Sequence, residues 1–542
     1  MAILKSAFWP SCLPILSLAL AESQTADDIQ RLITEQNGDS KALSAISAAS
    51  WVDSPKVRGT VDILLTCVVT LVACVWSVLH QNIWTLIAIL APDTVLVVAA
   101  NQMIAARGLR KELKMLQARK NKTYLVDVPL NFCFSVEMGG FQVDLDLEGI
   151  SLGPSFMASC PERLPLSPAG FLKLIDMDLL NLEKMMKHAN VTEKSKANVF
   201  QKLLIATQVI WMFIQCIARK SQGLPIILLE IHTVVHVVCA LIVLLCWTSK
   251  PLDVNTPEIV ESESDNVLGF FSLAIQSQIC EQKFVLVGPR DIHSYTTAIR
   301  QDANEDDLDA ERELPRILHL RPKETLPFGF KYEGGPNLHL QPTDMLRLRR
   351  ATQFLRDHYG RELRHPNQAL PMSQFGSFFS EGGNYAYSIS GRYKGLALWE
   401  QASLLVIGPW FYTHEEEEGV LNVSYRVSIF ALLVTLVYSG LHLSAWSARF
   451  PTQVEEICWK AAGIIPIGNA LFALFVIYVI EFDTPSGLSF FTSKVFPAAL
   501  LMFGALNGMA RIYLTAESFA SLRNLPIGAF SMPVWLQLFP HI

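Results

Sequence analysis

The chain has 542 residues, of which 51% are hydrophobic and only 17% charged, with a formal net charge of −6 and a mean hydropathy of +0.31. Soluble domains carry about 25% charged residues, and a small negative charge over this length excludes a general nucleic-acid partner. The charge deficit is confined to several blocks, which is the pattern of a polytopic membrane protein.

Residues 1–21 have the form of a secretory signal: Lys5, a short apolar core from Pro14 to Leu20, and the small-x-small site Ala19-Leu20-Ala21. A polar segment, 22–60, precedes the first apolar run, Asp62 to His80. That run is about long enough to cross a hydrocarbon core. The second run, Trp84 to Ala105, carries Pro92 and Asp93 in its middle. It predicts a kinked span or a re-entrant hairpin, because proline removes a backbone donor and a buried aspartate must be satisfied.

A basic segment follows, with Arg107, Arg110, Lys111, Lys114, Arg119, Lys120 and Lys122 against Glu112. The excess of cations places 107–200 in the cytosol, or lays a helix on anionic lipid on the same side. Phe132 to Leu180 reads as short strands and loops, and Ile175 to Lys202 as helix.

The stretch 201–250 predicts a transmembrane hairpin, Leu203–Ile217 and Pro225–Trp247, turning at Arg219, Lys220 and Gly223. Gln208, Trp211 and Gln215 share one helical face, as do His232 and His236; Glu230 lies elsewhere on the wheel. Two readings stay open. These polar groups bond helix to helix, or Glu230, His232 and His236 line a proton or ion path. Trp247, Lys250, Pro251 and Asp253 form a membrane exit: a belt aromatic, a snorkelling lysine and a helix stop.

Residues 251–425 predict a long soluble, cytosolic region. It holds an acidic patch, Asp302 to Glu313, and an arginine-bearing helix, Met345 to Tyr359. Leu396 to Phe411 reads as a membrane-surface or buried helix, and His414 to Glu418 as a solvated turn rather than a cation site. The Asn422 sequon offers a glycosylation check on sidedness. Three apolar runs within 426–515 carry His442, then Pro466 and Asn469, then Asn507 and Arg511; 516–542 is a membrane-associated tail.

The 10 cysteines lie mostly inside apolar runs, without a CxxC pair or zinc spacing, so they read as small buried hydrophobes. No P-loop, GxGxxG, GxSxG or HExxH occurs, so no catalytic residue, cofactor or metal is expected.

Several motifs resemble a group of uncharacterised multipass membrane proteins of filamentous fungi. They are RGTVDILLTCVVTLVACVWSVLHQN (Arg58–Asn82), Ala91-Pro92-Asp93, EMGGF (Glu137–Phe141) and EKSKANVFQKLL (Glu193–Leu204). Others are WMFIQCIARKSQGLP (Trp211–Pro225), KPLDV (Lys250–Val254), SGLHLSAWSARFPTQVEEICWKAA (Ser439–Ala462) and ARIYLTAESFASLRNLPIGAF (Ala510–Phe530), with a terminal PHI. Asp93 stands where that group often has glutamate, and Thr248 where it has a second tryptophan. The resemblance implies a membrane protein and no assigned activity.

The expected fold is all-α: a polytopic integral membrane protein of about six to seven transmembrane helices with a long soluble central loop. Its partners would be the lipid bilayer and further copies or other membrane proteins, in a plasma membrane or an endomembrane. The candidate intramembrane polar residues are Asp93, Glu230, His232, His236, His442, Asn469, Asn507 and Arg511. They fit a structural, scaffolding or sensor role, alternatively a channel or transporter, and thirdly a membrane-embedded enzyme.

Overall fold

A proline divides the second apolar run into two helices, while the helices over most of the later runs extend beyond them into polar flanks. The computed structural model describes residues 23–36, 39–48, 51–54, 57–76, 82–120, 126–144, 163–166, 168–188, 196–251, 258–260, 284–287, 318–326, 329–333, 337–340, 342–359, 369–371, 420–481 and 496–531. The predicted signal at 1–21, the acidic patch, Leu396–Phe411, His414–Glu418 and Asp253 lie outside the described residues.

In chain order the elements are β1 (Ser23–Gln24), α1 (Ala26–Glu35), α2 (Ser40–Ala45), β2 (Trp51–Val52), α3 (Thr60–Trp76), α4 (Asn82–Leu90) and α5 (Pro92–Arg119). Then come α6 (Leu130–Glu137), β3 (Phe141–Asp144), β4 (Arg163–Pro165), α7 (Pro168–Asp176), α8 (Leu182–His188), α9 (Lys196–Ser221) and α10 (Leu228–Cys246). They continue with β5 (Glu258–Val260), β6 (Phe284–Val287), β7 (Leu318–Leu320), β8 (Phe330–Tyr332), β9 (Leu338–Leu340), α11 (Pro342–Tyr359) and β10 (Ala369–Pro371). The last are α12 (Val420–Leu443), α13 (Gln453–Glu481), α14 (Phe496–Ala520) and two 3-10 turns, Ser521–Arg523 and Ile527–Phe530.

The chain divides into two units. The first comprises Met1–Met103, Ala197–Thr248 and Leu396–Ile542; the second Ile104–Lys196 and Ser249–Gly395. In the first, α10 is the central helix, packed against α3, α12 and α14, while α13 packs against α12 and α14. Its buried residues include Leu229, Val235, Val237 and Val243. One apolar cluster joins Ile63 and Cys67 of α3, Val209 and Met212 of α9, and Ile527 and Phe530 of the last turn. Another joins Val95 and Ala99 of α5 to Cys239 and Val243 of α10. Between α9 and α10 the chain turns at Gly223, whose φ of 69° lies in the left-handed region that glycine enters without strain.

The second unit is mixed. β3 pairs antiparallel with β4 and parallel with β5; β6 sits between β8 and β10; β7 and β9 form an antiparallel ribbon. Phe132, Phe141 and Phe171 pack with ring centroids 5.4–5.8 Å apart. Leu348, Ala351, Phe354 and Leu355 form the buried face of α11.

This overturns the expected architecture of six to seven membrane-crossing helices. Among the described residues one helix, α10, is long and apolar enough to cross a membrane, and Thr60–Val75 and Ile429–Leu443 are apolar but shorter. The 19 residues of α10 span about 28 Å, close to the thickness of a hydrocarbon core. The Trp84–Ala105 run breaks at Ala91: α4 has nine residues, and α5 starts afresh with proline at its first position, where a missing N–H costs nothing. α9 begins and ends in lysines and arginine and carries Gln208 and Gln215. α13 continues through Pro466 but holds Lys460 and Asn469, and α14 holds Asn507 and Arg511. The described chain is mainly helical, as expected, but not all-α, since short sheets are also present.

Candidate functional site

The first unit is polar at its centre, and the polar groups come from widely separated stretches of chain. Asp93 lies in the first turn of α5, where a carboxylate is favoured by the helix dipole. It is 3% exposed. Its two oxygens accept from Arg511 Nη1 and Nη2 of α14 at 2.6 and 2.7 Å. Arg511 Nε donates to Asn507 Oδ1 at 3.3 Å, and the guanidinium stacks 4.5 Å from the Tyr438 ring centroid. The bidentate fork uses the planar geometry that makes arginine, rather than lysine, suit a buried pair.

Glu230 stands in the first turn of α10. Its Oε2 accepts from the backbone N–H of Ile227 at 3.1 Å, and its Oε1 from Arg58 Nη1 at 2.5 Å. Arg219 Nε lies 3.7 Å from Oε1. Arg219 Nη1 donates to the carbonyl of Ser531 at 2.9 Å, and Nη2 to those of Pro225, Gly528 and Ala529 at 3.1 Å each. One guanidinium thus ties the hairpin turn to the 3-10 turn at Ile527–Phe530. Burial opposes the charge on Arg58, but the Glu230 carboxylate outweighs it and holds the guanidinium above its ordinary pKa.

The histidines form a third group. His442 Nδ1 is 2.9 Å from the carbonyl of Tyr438, four residues back on α12. A carbonyl only accepts, so Nδ1 carries the proton and His442 Nε2 is an acceptor. His232 Nδ1, 3.2 Å away, is then the donor between α10 and α12. The His236 ring lies 4.8 Å from that of His232. Its Nε2 has no hydrogen-bond partner among the described residues. It lines a cavity of about 20 Å³ with Cys74, Ala88, Pro92, Cys239 and Val243, among others. That is room for a single water. Trp459 Nε1 donates to the His442 carbonyl at 3.1 Å, fastening α13 to the same place.

Six of the eight residues singled out in the sequence, Asp93, His232, His236, His442, Asn507 and Arg511, therefore gather around Tyr438, while Glu230 forms a separate ion cluster with Arg58 and Arg219. Asn469 joins neither: it is half-buried on α13 and takes part in none of these bonds. Gln208 cross-links helices, donating to Thr70 Oγ1 of α3 at 3.2 Å. Trp247 closes the end of α10, and its Nε1 donates to Gln102 Oε1 at 3.0 Å. Pro251 is buried, while Asn422 falls in the first turn of α12 with its side chain outside the described residues. Sequence reasoning missed Arg58 and assigned Arg219 to a turn. It also left Arg511 without its partner, which stands 418 positions away. The one available signal was that a lone charge in an apolar run must find an opposite charge.

Among the described residues no three His, Cys, Asp or Glu side chains are placed to hold a metal. The His232 and His442 imidazoles are engaged with each other and with a carbonyl, and the two carboxylates with arginines. This is a helical protein whose charged and aromatic-polar groups are paired inside the bundle.

The chain belongs to a family of unknown function (DUF8562), whose model matches residues 32–309 and 419–542. Both matched stretches are needed to build the polar core, Asp93 and His232 coming from the first and His442 and Arg511 from the second. No curated protein and no solved structure matches the chain.

Proposed function

We propose that the protein is a structural or scaffolding component held in a lipid bilayer, with its buried polar groups acting as helix connectors. The observation that carries this reading is the Asp93–Arg511 pair: both charges are fully engaged, at 2.6 and 2.7 Å, and neither is left to bind a passing ion. Membrane residence is supported by α10 and by the outer faces of the first unit. Leu65, Leu433, Phe475, Met509 and Ile512 are each more than half exposed. Broad exposed apolar faces around a core that also holds buried ion pairs suit a lipid surround. On the shared motifs we place the protein among membrane proteins of filamentous fungi.

A second reading, conduction of a proton or small solute, is favoured by the His232–His442 bond running toward the His236 cavity. Purified protein reconstituted into vesicles separates the two. The scaffold reading expects no flux above protein-free vesicles. Flux that is abolished in folded Glu230→Gln or His236→Ala variants would sink it.

A further inference from the structure

The C-terminal half of α5 belongs to the second unit and is strongly two-faced. Ala106, Leu109, Leu113 and Leu116 are buried along one side. Arg107, Arg110, Lys111, Lys114 and Ala118 recur at helical spacing along the other, where they line an open concavity of about 560 Å³ together with Met115. Glu112 is the one acid in this half of the helix, and it lies about 140° around the helix from Arg107. Ile104 and Met115 border the basic stripe along one side, each 53% exposed. Next to it Gly108 leaves the surface open, with nothing within 4 Å of the position a Cβ would take.

The stripe is only partly neutralised. Asp127 reaches Arg110 at 3.2 Å and Lys114 at 3.0 Å. Arg119 turns instead to Asp176 at 3.8 Å, away from the stripe. Arg107 and Lys111 are exposed, and Arg110 Nε is buried with no hydrogen-bond partner among the described residues. Adjacent exposed cations, Arg107 and Lys111, complement phosphate oxygens. Two exposed apolar side chains at the edge, with no aromatic group beside them, distinguish the surface from a face built to stack single-stranded nucleic acid. Cations in the plane of the headgroups, with short apolar side chains reaching the acyl boundary, are the arrangement of an interfacial helix.

We propose that this face of α5 docks on the headgroups of anionic phospholipids, with Arg107 and Lys111 as its main contacts and Ile104 and Met115 dipping below them. The inference rests on the membrane reading above for the presence of a bilayer, and it concerns a different unit from α10.

The test is lysine footprinting of the full chain. The protein is mixed with, or reconstituted into, phosphatidylcholine vesicles with and without phosphatidylserine, and Lys111 acylation is read by mass spectrometry. Each basic residue near an anionic surface contributes about 1 kcal/mol, so Lys111 labelling should fall about fivefold with phosphatidylserine. High salt should restore it. Arg107→Glu, checked for native helix content, should reduce the protection. Equal Lys111 labelling on both vesicle types overturns the proposal, as does protection by an RNA oligonucleotide exceeding that by anionic vesicles. Alkaline extraction of the same vesicles tests insertion separately. A chain that is stripped off but still protected at Lys111 refutes residence in the bilayer, and a chain that resists extraction with Lys111 unprotected refutes only the docking face.

Discussion

Removing Asp93 should damage this protein more than removing any comparable surface charge. Asp93 and Arg511 are 3% and 6% exposed, and their two short bonds leave neither group hydrated. Asp93→Ala would strand a guanidinium beside the Tyr438 ring with only Asn507 and a distant carbonyl, that of Leu90 at 3.5 Å, to serve it. Breaking a buried pair from one side costs about 3–5 kcal/mol. For a unit of this size that is a fall of about 5–8 °C in the unfolding midpoint. Arg511→Met should cost a similar amount, because it strands the carboxylate. The double variant should recover much of the loss, since a pair replaced by apolar side chains avoids desolvation altogether. The assay is thermal unfolding of detergent-purified protein followed by tryptophan fluorescence, run as a double-mutant cycle. If the two single losses simply add in the double variant, the pair is not a coupled structural unit and the account of the core is wrong.

Arg219→Lys keeps the charge but cannot reproduce a fork that serves four carbonyls, so it should lose about 2–4 kcal/mol. It should also free residues 527–531 for carboxypeptidase, with unchanged digestion counting against the latch. His232→Ala and His442→Ala should show a coupling of about 1 kcal/mol in a cycle, and zero coupling would contradict the inter-helix bond. Glu137, half-buried at the end of α6, is pushed by burial from 4.5 up to about 7. An acid that holds its proton longer when folded contributes fully below its unfolded pKa and loses that contribution as pH rises through the folded one. Stability of the second unit should therefore decline between about pH 4.5 and 7 and then level off, by hydrogen exchange at α6 and α7. Glu137→Gln should remove that slope.

Much of the candidate site was legible as residue type but not as partnership. Asp93, Glu230 and Arg511 stand out because a charge in an apolar run is costly, and His232 and His236 because they share a face. What sequence could not supply was the pairing. Glu517 is the acid nearest Arg511 along the C-terminal chain, yet the pair forms with Asp93. The His232–His442 bond likewise links α10 to α12, a separation of 210 positions. Periodicity reports on one helix at a time and carries no information about which helices meet.

The same division explains the fold. By itself the sequence determined the polar–apolar blocks, an interruption at Pro92 left open between kink and break, the stop after Trp247 and the helical period of the Asn198–Cys246 stretch, because these depend on local backbone chemistry. It did not determine how many of the apolar runs are long enough to cross a bilayer. An apolar residue facing lipid and one buried against a neighbouring helix look alike in a hydropathy window. Only the tertiary structure showed α10 as the central helix, with α3, α12 and α14 covering it and the charges turned inward to one another. Burying a charge is tolerable only beside its partner, and that partner is brought by the fold.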